Sequence, residues 1–209
     1  MDRQQHWQHV YETKADDQLS WFQQQPTASL ALIRAIQPAP ASAIDIGGGQ
    51  SALAAALLRE GVAHVAVLDI SVAAIDRAKA RLGHSADRVR WIVADVLDTQ
   101  LPSVPDVGTF DLWHDRAVFH FLTNPDDRRR YAQAAARTVR AGGHAVIATF
   151  APTGPEKCSG LPVQRYDADA LAAEFAPAFT PVRAESETHT TPWGKAQDFT
   201  CVLLRRAGS

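Results

Sequence analysis

The feature that most constrains this chain is a regular alternation of short apolar segments with helical patterns. The apolar, β-branched segments predict buried strands at residues 42–46, 64–69, 89–95, 110–114 and 144–150. The helical patterns between them have recognisable ends and cover residues 51–60, 72–82 and 125–140, the last closed by Gly142 and Gly143. This alternation predicts an α/β fold in which a parallel sheet carries helices on both faces.

The C-terminal region follows a different pattern. A helix is predicted over 167–175, and two strands at 179–187 and 199–205 are joined by a Pro-Trp-Gly turn with no helix between them. This predicts a hairpin that adds an antiparallel strand, giving a Rossmann-like, seven-stranded, mostly parallel sheet. No linker or repeat interrupts the sequence, so we expect a single domain over 1–209, whose first 40 residues form an N-terminal helical segment.

A glycine-rich loop with three acidic partners is the main functional signal. Residues 43–51 read Ala-Ile-Asp-Ile-Gly-Gly-Gly-Gln-Ser and join the first strand to the next helix. Glycines let a ligand approach the backbone, and the helix that follows offers free N–H groups. Asp45, Asp69 and Asp95 lie at the ends of the first three strands, with Asp69 about 20 residues after the glycines. The pattern predicts a nucleotide-like ligand at the carboxyl edge of the sheet.

Together with Phe110-Asp111, these motifs resemble the ordered motifs of class I S-adenosylmethionine (SAM)-dependent methyltransferases, over about residues 41–205. The resemblance implies SAM as cofactor and S-adenosylhomocysteine (SAH) as product. It assigns the methionyl end to Asp45, Gly47, Gly49 and the backbone of His114, the ribose to Asp69, and the adenine to Asp95 and Val96. Gly48 and Ile70 are further expected cofactor contacts, with no particular group of SAM assigned to them.

A narrower resemblance concerns the N-terminal region. The segments 6–11 (His-Trp-Gln-His-Val-Tyr), 20–22 (Ser-Trp-Phe) and 113–122 are similar to a subgroup that includes protein-lysine methyltransferases of citrate synthase and elongation factors. Thiopurine-methyltransferase-like enzymes have a comparable aromatic lead-in. The subgroup implies either a protein lysine or a small thiol, chalcogen compound or amine as methyl acceptor.

Three aromatic residues of this region are candidates for a lid over the cofactor. Trp7, Tyr11 and Trp21 precede the first strand, and aromatic rings both exclude water and attract a sulfonium. The alternative is that they only pack the N-terminal helix against the domain.

Asp115 and His120 are the candidate catalytic residues, because they follow the fourth strand and could assist deprotonation of an acceptor. The alternatives are an ion pair of Asp115 with Arg116 and a hydrogen-bonded core position for His120. The Pro- and Gly-rich loop 151–162 is expected to line the acceptor site, with Cys158 as either an incidental thiol or a contact for a soft substrate.

Composition excludes several classes of function. The net charge of −2 favours neither nucleic acid nor an anionic membrane as partner, and no apolar segment is long enough to span a bilayer. Two distant cysteines and the absence of metal-ligand spacing predict a cytoplasmic protein without a metal. A monomer and a homodimer both remain open.

Two other functions compete with methyl transfer. An NAD(P)-dependent oxidoreductase is possible because Gly47, Gly49 and Ala52 fit the G-x-G-x-x-A pattern. The chain has little room for a second catalytic domain, which argues against it. A catalytically silent SAM-binding protein is the remaining alternative.

Overall fold

The computed structural model describes residues 2–98 and 109–208 of the chain. Its helices are α1 Arg3–Thr13, α2 Thr27–Arg34, α3 Leu53–Arg59, α4 Val72–Leu82, α5 Pro125–Thr138 and α6 Ala168–Ala173. Its strands are β1 Ser42–Ile46, β2 His64–Asp69, β3 Val89–Val93, β4 Phe110–Arg116, β5 Val139–Phe150, β6 Lys157–Cys158, β7 Leu161–Pro162, β8 Phe179–Thr190 and β9 Ala196–Arg206.

Seven strands form one sheet in the order β3-β2-β1-β4-β5-β9-β8. Strands β1 to β5 are mutually parallel, and β9 runs antiparallel to both β5 and β8. The predicted Rossmann-like, mostly parallel sheet with a C-terminal hairpin is therefore confirmed. The chain moves outward from β1 to β3 and then returns to place β4 on the other side of β1. This reversal of strand order opens a crevice at the carboxyl ends of β1 and β4, where such sheets bind ligands.

The sheet is packed between two apolar layers, which confirms the predicted helices on both faces. On one face, Leu32 of α2 and Leu57 of α3 are fully buried against the strands. On the other, Tyr131 of α5 and Leu171 of α6 are equally buried. Burying a side chain of this size contributes about 1.5–3 kcal/mol, so both layers hold the strand ends rigidly in place.

The N-terminal segment lies against the start of α4. Val10 and Tyr11 of α1 are buried together with Leu19. The Gln8 side-chain oxygen accepts hydrogen bonds from the Ser71 hydroxyl at 2.9 Å and from the Ala73 N–H at 3.2 Å. These contacts place the aromatic residues of α1 above the carboxyl ends of β1 and β2.

The helix predicted over 125–140 ends earlier than expected. α5 stops at Thr138, and Gly143, predicted to help close the helix, lies inside β5. A Cβ atom at Gly143 would lie 2.7 Å from Val139 Cγ1 and 2.9 Å from the Asp111 carbonyl oxygen. The glycine therefore permits close packing of neighbouring strands, which a pattern within one segment does not reveal.

Two strand boundaries that matter for the site also differ. β3 ends at Val93, so Asp95 lies beyond it in a turn. β4 continues to Arg116, so Asp115, which was predicted to follow this strand, lies inside it together with His114. Both residues pair with β1 instead, His114 opposite Asp45 and Asp115 opposite Ile46.

Candidate functional site

A cleft of about 750 Å³, including its open mouth, lies at the carboxyl edge of the sheet. We call it the main cleft. Eight residues predicted to bind cofactor line it: Trp7, Tyr11, Trp21, Gly47, Asp69, Ile70, Asp95 and Val96. Its other lining residues are Arg3, Ile46, Leu68, Ala94, Arg116, Ala117, Val118, Phe121 and Leu122.

A smaller polar recess, the side pocket, adjoins the main cleft. Asp45 and His114 line it, and four of its other lining residues also line the main cleft: Trp21, Ile46, Gly47 and Arg116. The two cavities therefore meet around Gly47, at the place where the glycine-rich loop leaves β1. An elongated ligand with a polar end fits this shape.

The three glycines have different roles. Gly47 lines the cavities with a left-handed backbone (φ 64°), and a Cβ atom there would lie 2.2 Å from Val118 Cγ2. Gly48 and Gly49 were expected to contact the ligand directly, but neither lines the main cleft or the side pocket. A Cβ at Gly48 would lie 2.4 Å from Asp45 Oδ2, and one at Gly49 would lie 2.8 Å from Asp69 Oδ2. These two glycines leave room for the acidic side chains that face the ligand.

Asp45 presents a free acceptor to the side pocket. Its Oδ1 lies 2.6 Å from Nδ1 of His114, whose Nε2 lies 2.8 Å from the Ser29 hydroxyl. Asp45 Oδ2 is buried and, within the described part of the chain, has no hydrogen-bond partner. Buried polar atoms normally have partners, so this oxygen is suited to receive a donor from a ligand. His114, expected to act through its backbone, instead positions this carboxylate with its ring.

Asp69 is fully buried at the end of β2. Its Oδ2 accepts the Gly49 N–H at 3.1 Å and its Oδ1 accepts the Ser71 N–H at 2.9 Å. Burial raises its pKa to about 6, although these N–H groups oppose the shift. A carboxylate has about four acceptor positions, so each oxygen retains capacity for a hydroxyl of a ligand in the main cleft.

Asp95 lies at the rim of the main cleft. Its Oδ1 accepts the Leu97 N–H at 2.8 Å, and its Oδ2 lies 3.5 Å from Nη2 of Arg3. Arg3 also lies 3.6 Å from a carboxylate oxygen of Asp127. Arg3 therefore joins α1 to the rim on the nucleotide side, a role that the sequence analysis missed.

Aromatic rings form the outer wall of the main cleft. The Trp7 ring centroid lies 4.9 Å from that of Phe121 and 5.8 Å from that of Trp21, both edge to face. Tyr11 packs beside them, 6.3 Å from Trp21. The N-terminal aromatic residues thus both pack together and face the cleft, so the two interpretations of this segment are compatible.

Asp115 lies behind the main cleft and does not line it. Its Oδ1 accepts the Val118 N–H at 2.9 Å, and its Oδ2 accepts the Phe119 N–H at 3.0 Å and the Tyr131 hydroxyl. Burial raises its pKa to about 6. With both oxygens occupied inside the protein, the geometry does not support the expected contact with an acceptor and favours a positioning role in the turn after β4.

His120 is also enclosed by protein. Its Nδ1 accepts the Phe150 N–H at 3.4 Å, and its ring packs against Phe121 and Phe150. Burial, together with the charge of Arg116, lowers its pKa to about 3, so the ring is neutral at physiological pH. Because it lines neither cavity, the expected catalytic contact is not supported for His120 either.

Cys158 belongs to the short β6–β7 hairpin and is buried. Its sulfur lies 3.9 Å from the Ser20 hydroxyl, and burial raises its pKa to about 11, so the thiol stays protonated. Among residues 2–98 and 109–208, no group of three or more His, Cys, Asp and Glu side chains is arranged to hold a metal ion. Over the same residues, none of the helices has the length and hydrophobicity needed to cross a membrane.

The sequence analysis missed several lining residues, Arg116 and Phe121 among them. Arg116 reaches the cavities because β4 extends beyond its predicted end. Phe121 reaches them through the turn formed by residues 117–122, which we call the post-β4 turn. In the sequence, the only indication that Arg116 and Phe121 line a cavity is their place in a short run of apolar and basic residues after a strand.

Comparison with known proteins agrees with this geometry. The model of a family described as methyltransferase domain matches residues 43–143, which include β1 to β4 and the glycine-rich loop. No curated protein matches the chain.

Solved structures resemble the chain over nearly its whole length. One, described by the conversion of a disulfide bond into a thioacetal group during echinomycin biosynthesis, has 24% identity and a TM-score of 0.74, covering 98% of this chain and 93% of the other. The N-methyltransferase NodS from Bradyrhizobium japonicum WM9, in complex with SAH, has 19% identity and a TM-score of 0.68, covering 98% and 99%.

A third similar structure is the 1,6-didemethyltoxoflavin-N1-methyltransferase of Burkholderia thailandensis, bound to 1,6-didemethyltoxoflavin and SAH. It has 20% identity and a TM-score of 0.66, covering 95% of this chain and 81% of the other. These similarities establish that the chain has the fold of the SAM-dependent methyltransferases.

Proposed function

We propose that this protein is a SAM-dependent methyltransferase that transfers a methyl group to a small-molecule nucleophile. The observation that carries the proposal is the joined pair of cavities. The main cleft presents the buried carboxylate of Asp69, and the side pocket presents the unpartnered Oδ2 of Asp45.

The residues present fit SAM group by group. Asp45 Oδ2 has the chemistry to accept a hydrogen bond from the ammonium of the methionyl group. Asp69 faces the main cleft and can accept hydrogen bonds from two ribose hydroxyls. Asp95 and Val96 line the cleft just beyond the end of β3, the neighbour of β2, where an adenine would bind.

When bound, SAM supplies an electrophilic methyl group on a positively charged sulfonium. The protein has to orient the acceptor in line with the bond that breaks and to exclude water. Trp7, Trp21 and Phe121 do this from the outer wall, where their ring faces also favour a cation. The carboxylates among the described lining residues of the main cleft are Asp69 and Asp95, and both face the nucleotide side. Neither is placed to take a proton from the acceptor, so an acceptor that reaches the site already deprotonated is favoured.

The aromatic outer wall of the main cleft supports a small acceptor over a lysine of a folded protein. Two of the similar structures are described as N-methyltransferases, one with a small heterocycle bound. The resemblance to the protein-lysine subgroup keeps a lysine side chain as the second candidate. Labelled-methyl transfer to small amines and thiols, compared with transfer to lysine peptides, separates the two.

Calorimetric titration with SAM and separately with NADH tests the proposed function. We expect micromolar SAM binding that is lost in Asp69→Ala and retained in Asp76→Ala, which changes an exposed aspartate of α4 outside the cleft. Binding of NADH without SAM would return the site to the oxidoreductase alternative. SAM binding without transfer to any acceptor would support a silent SAM-binding protein.

A further inference from the structure

Arg116 is the one cation that lines both the main cleft and the side pocket among the described residues. It is the last residue of β4, and its side chain is only 9% exposed. Nη1 donates to the Trp21 carbonyl oxygen at 3.1 Å, and Nε donates to Glu187 Oε2 at 3.4 Å. The guanidinium lies 4.2 Å from the centre of the Phe199 ring. Its orientation is therefore fixed from three sides.

The fourth side of the guanidinium is free of protein partners. Nη2 is buried and, within the part of the chain that the structure describes, makes no hydrogen bond. Guanidinium has five N–H donors in a planar fork, and the contacts above use one on Nη1 and one on Nε. Leaving charged donors buried and unpaired is costly, and the pair at the end of the fork matches the two oxygens of a carboxylate.

Arg116 borders the side pocket, but the strands that hold its guanidinium lie on the other side of β1 from Asp69. Asp45 and Asp69, which face the expected methionyl and ribose groups, lie on β1 and β2. Arg116 lies on β4 and leans over Phe199 of β9 and toward Glu187 of β8, on the opposite half of the sheet. A group held there approaches SAM from the acceptor side.

Resting on the proposed function, we propose that Arg116 binds a carboxylate of the methyl acceptor, so that the substrates are small organic acids. The acid group lies against the end of the guanidinium while the reactive part of the molecule points into the aromatic main cleft. Specificity for an acid follows because a neutral analogue leaves the charged Nη2 donors of Arg116 without an anionic partner.

Glu187 limits how strongly this site attracts an anion. Its Oε2 is at the long distance of 3.4 Å from Arg116, and its Oε1 accepts a hydrogen bond from the Gln23 amide at 2.5 Å. One oxygen of Glu187 is thus hydrogen-bonded to Gln23, and only the other lies near the guanidinium. Replacing Glu187 with a neutral residue is expected to make Arg116 more attractive to a carboxylate.

The test measures binding of benzoate and its neutral analogue benzamide to the SAH-loaded protein by calorimetry. We expect wild type to bind benzoate about 10-fold more tightly than benzamide, as for a charge-assisted contact. Arg116→Gln should remove that preference while SAH affinity stays within about 2-fold. Arg183→Gln, which changes an exposed arginine of β8 paired with Glu185, should behave as wild type.

Two further variants keep the test valid if Arg116→Gln does not fold. Arg116→Lys retains the charge without the fork and should keep only part of the preference for benzoate. Glu187→Gln leaves Arg116 in place and should raise benzoate affinity about 3-fold or more.

Equal binding of benzoate and benzamide by wild type, or a benzoate preference that survives Arg116→Gln, would overturn the inference. So would an equal loss of SAH affinity in Arg116→Gln, since Arg116 would then hold the carboxylate of SAM itself. Failure of the proposed function is a different result: wild type would bind neither SAM nor SAH. The benzoate titration of ligand-free protein would still test Arg116.

Discussion

Substituting Gly47 by alanine tests whether the glycine-rich loop and the post-β4 turn are fitted to each other. Gly47 has a φ of 64°, a conformation that costs a residue with a Cβ about 1–2 kcal/mol. The added Cβ would also lie 2.2 Å from Val118 Cγ2, so one of the two segments must move. Overpacking of this kind costs typically about 1–3 kcal/mol. The sum predicts a loss of about 2–5 kcal/mol in the free energy of unfolding for Gly47→Ala.

Gly61→Ala is the matched control. Gly61 also has a positive φ, 86°, but a Cβ atom added there would meet nothing within 4 Å among the described residues. It should therefore lose only the backbone contribution of about 1–2 kcal/mol. The difference between the two variants isolates the contact with Val118, and Val118→Ala, which removes Cγ2, should reduce the effect of Gly47→Ala to that of Gly61→Ala.

Urea unfolding measures these free energies, and calorimetry measures SAM affinity in the same proteins. Because Gly47 and Val118 both line the main cleft, Gly47→Ala should weaken SAM binding, whereas Gly61→Ala should leave it unchanged. Equal destabilisation by the two substitutions, with no rescue by Val118→Ala, would refute the claim that these segments are in contact.

Four other predictions concern this site and the turn beside it. SAM affinity should fall about 10-fold per pH unit below pH 6, because the pKa of Asp69 is raised to about 6 and only the ionised carboxylate accepts from both ribose hydroxyls. In calorimetry, Asp69→Asn should bind SAM weakly, and its SAM affinity should not change with pH. The same raised pKa means that ionising Asp69 costs stability as pH rises from about 4 to 6, so Asp69→Asn should remove that loss in urea unfolding. Trp21→Ala should weaken SAM binding, whereas the control Trp193→Ala, at a residue 56% exposed, should not. Asp115→Ala should lower the free energy of unfolding by about 3 kcal/mol or more, since three buried donors lose their acceptor; a loss of turnover with full stability would instead point to a direct catalytic role.

The order of the elements and the nucleotide-facing acids could be predicted from the sequence because their signals are local. Asp69 ends an apolar run and follows the glycines at a recognisable spacing. Ser71, a residue type that favours the first position of a helix, caps α4 by accepting from the Ala74 N–H. Such features depend on neighbours within a few residues. They can therefore be predicted without knowing how the helices and strands pack against one another.

The residues that sequence analysis misassigned depend on contacts between distant segments. Gly143 reads as a helix terminator until β5 is placed beside the Asp111 backbone. Asp115 and His120 follow or end a strand in the sequence and therefore suggest a catalytic role. Only the packing of Tyr131 and Phe150 shows that protein groups occupy an Asp115 oxygen and Nδ1 of His120. Arg116 had no distinguishing pattern, because its partners Trp21 and Glu187 are 95 and 71 residues away.

The post-β4 turn connects these observations. Ala117 has a positive φ of 69°, which is unfavourable for a residue with a side chain, and its N–H donates to the Ala148 carbonyl oxygen at 2.9 Å. The Asp115 carboxylate binds the next two N–H groups of the turn. The post-β4 turn then places Val118 against Gly47 and Phe121 against Trp7.

An in-line displacement depends steeply on alignment, and a small displacement of a cleft wall is enough to slow it. Under the proposed function, a buried carboxylate that holds a strained turn contributes to methyl transfer without touching either reactant. Asp115 then acts on the reaction through the shape of the main cleft, and Arg116, one residue later on the same strand, acts through the acceptor carboxylate that we propose it binds. The alternation of side chains along β4 sends the first inward to the turn and the second toward the main cleft.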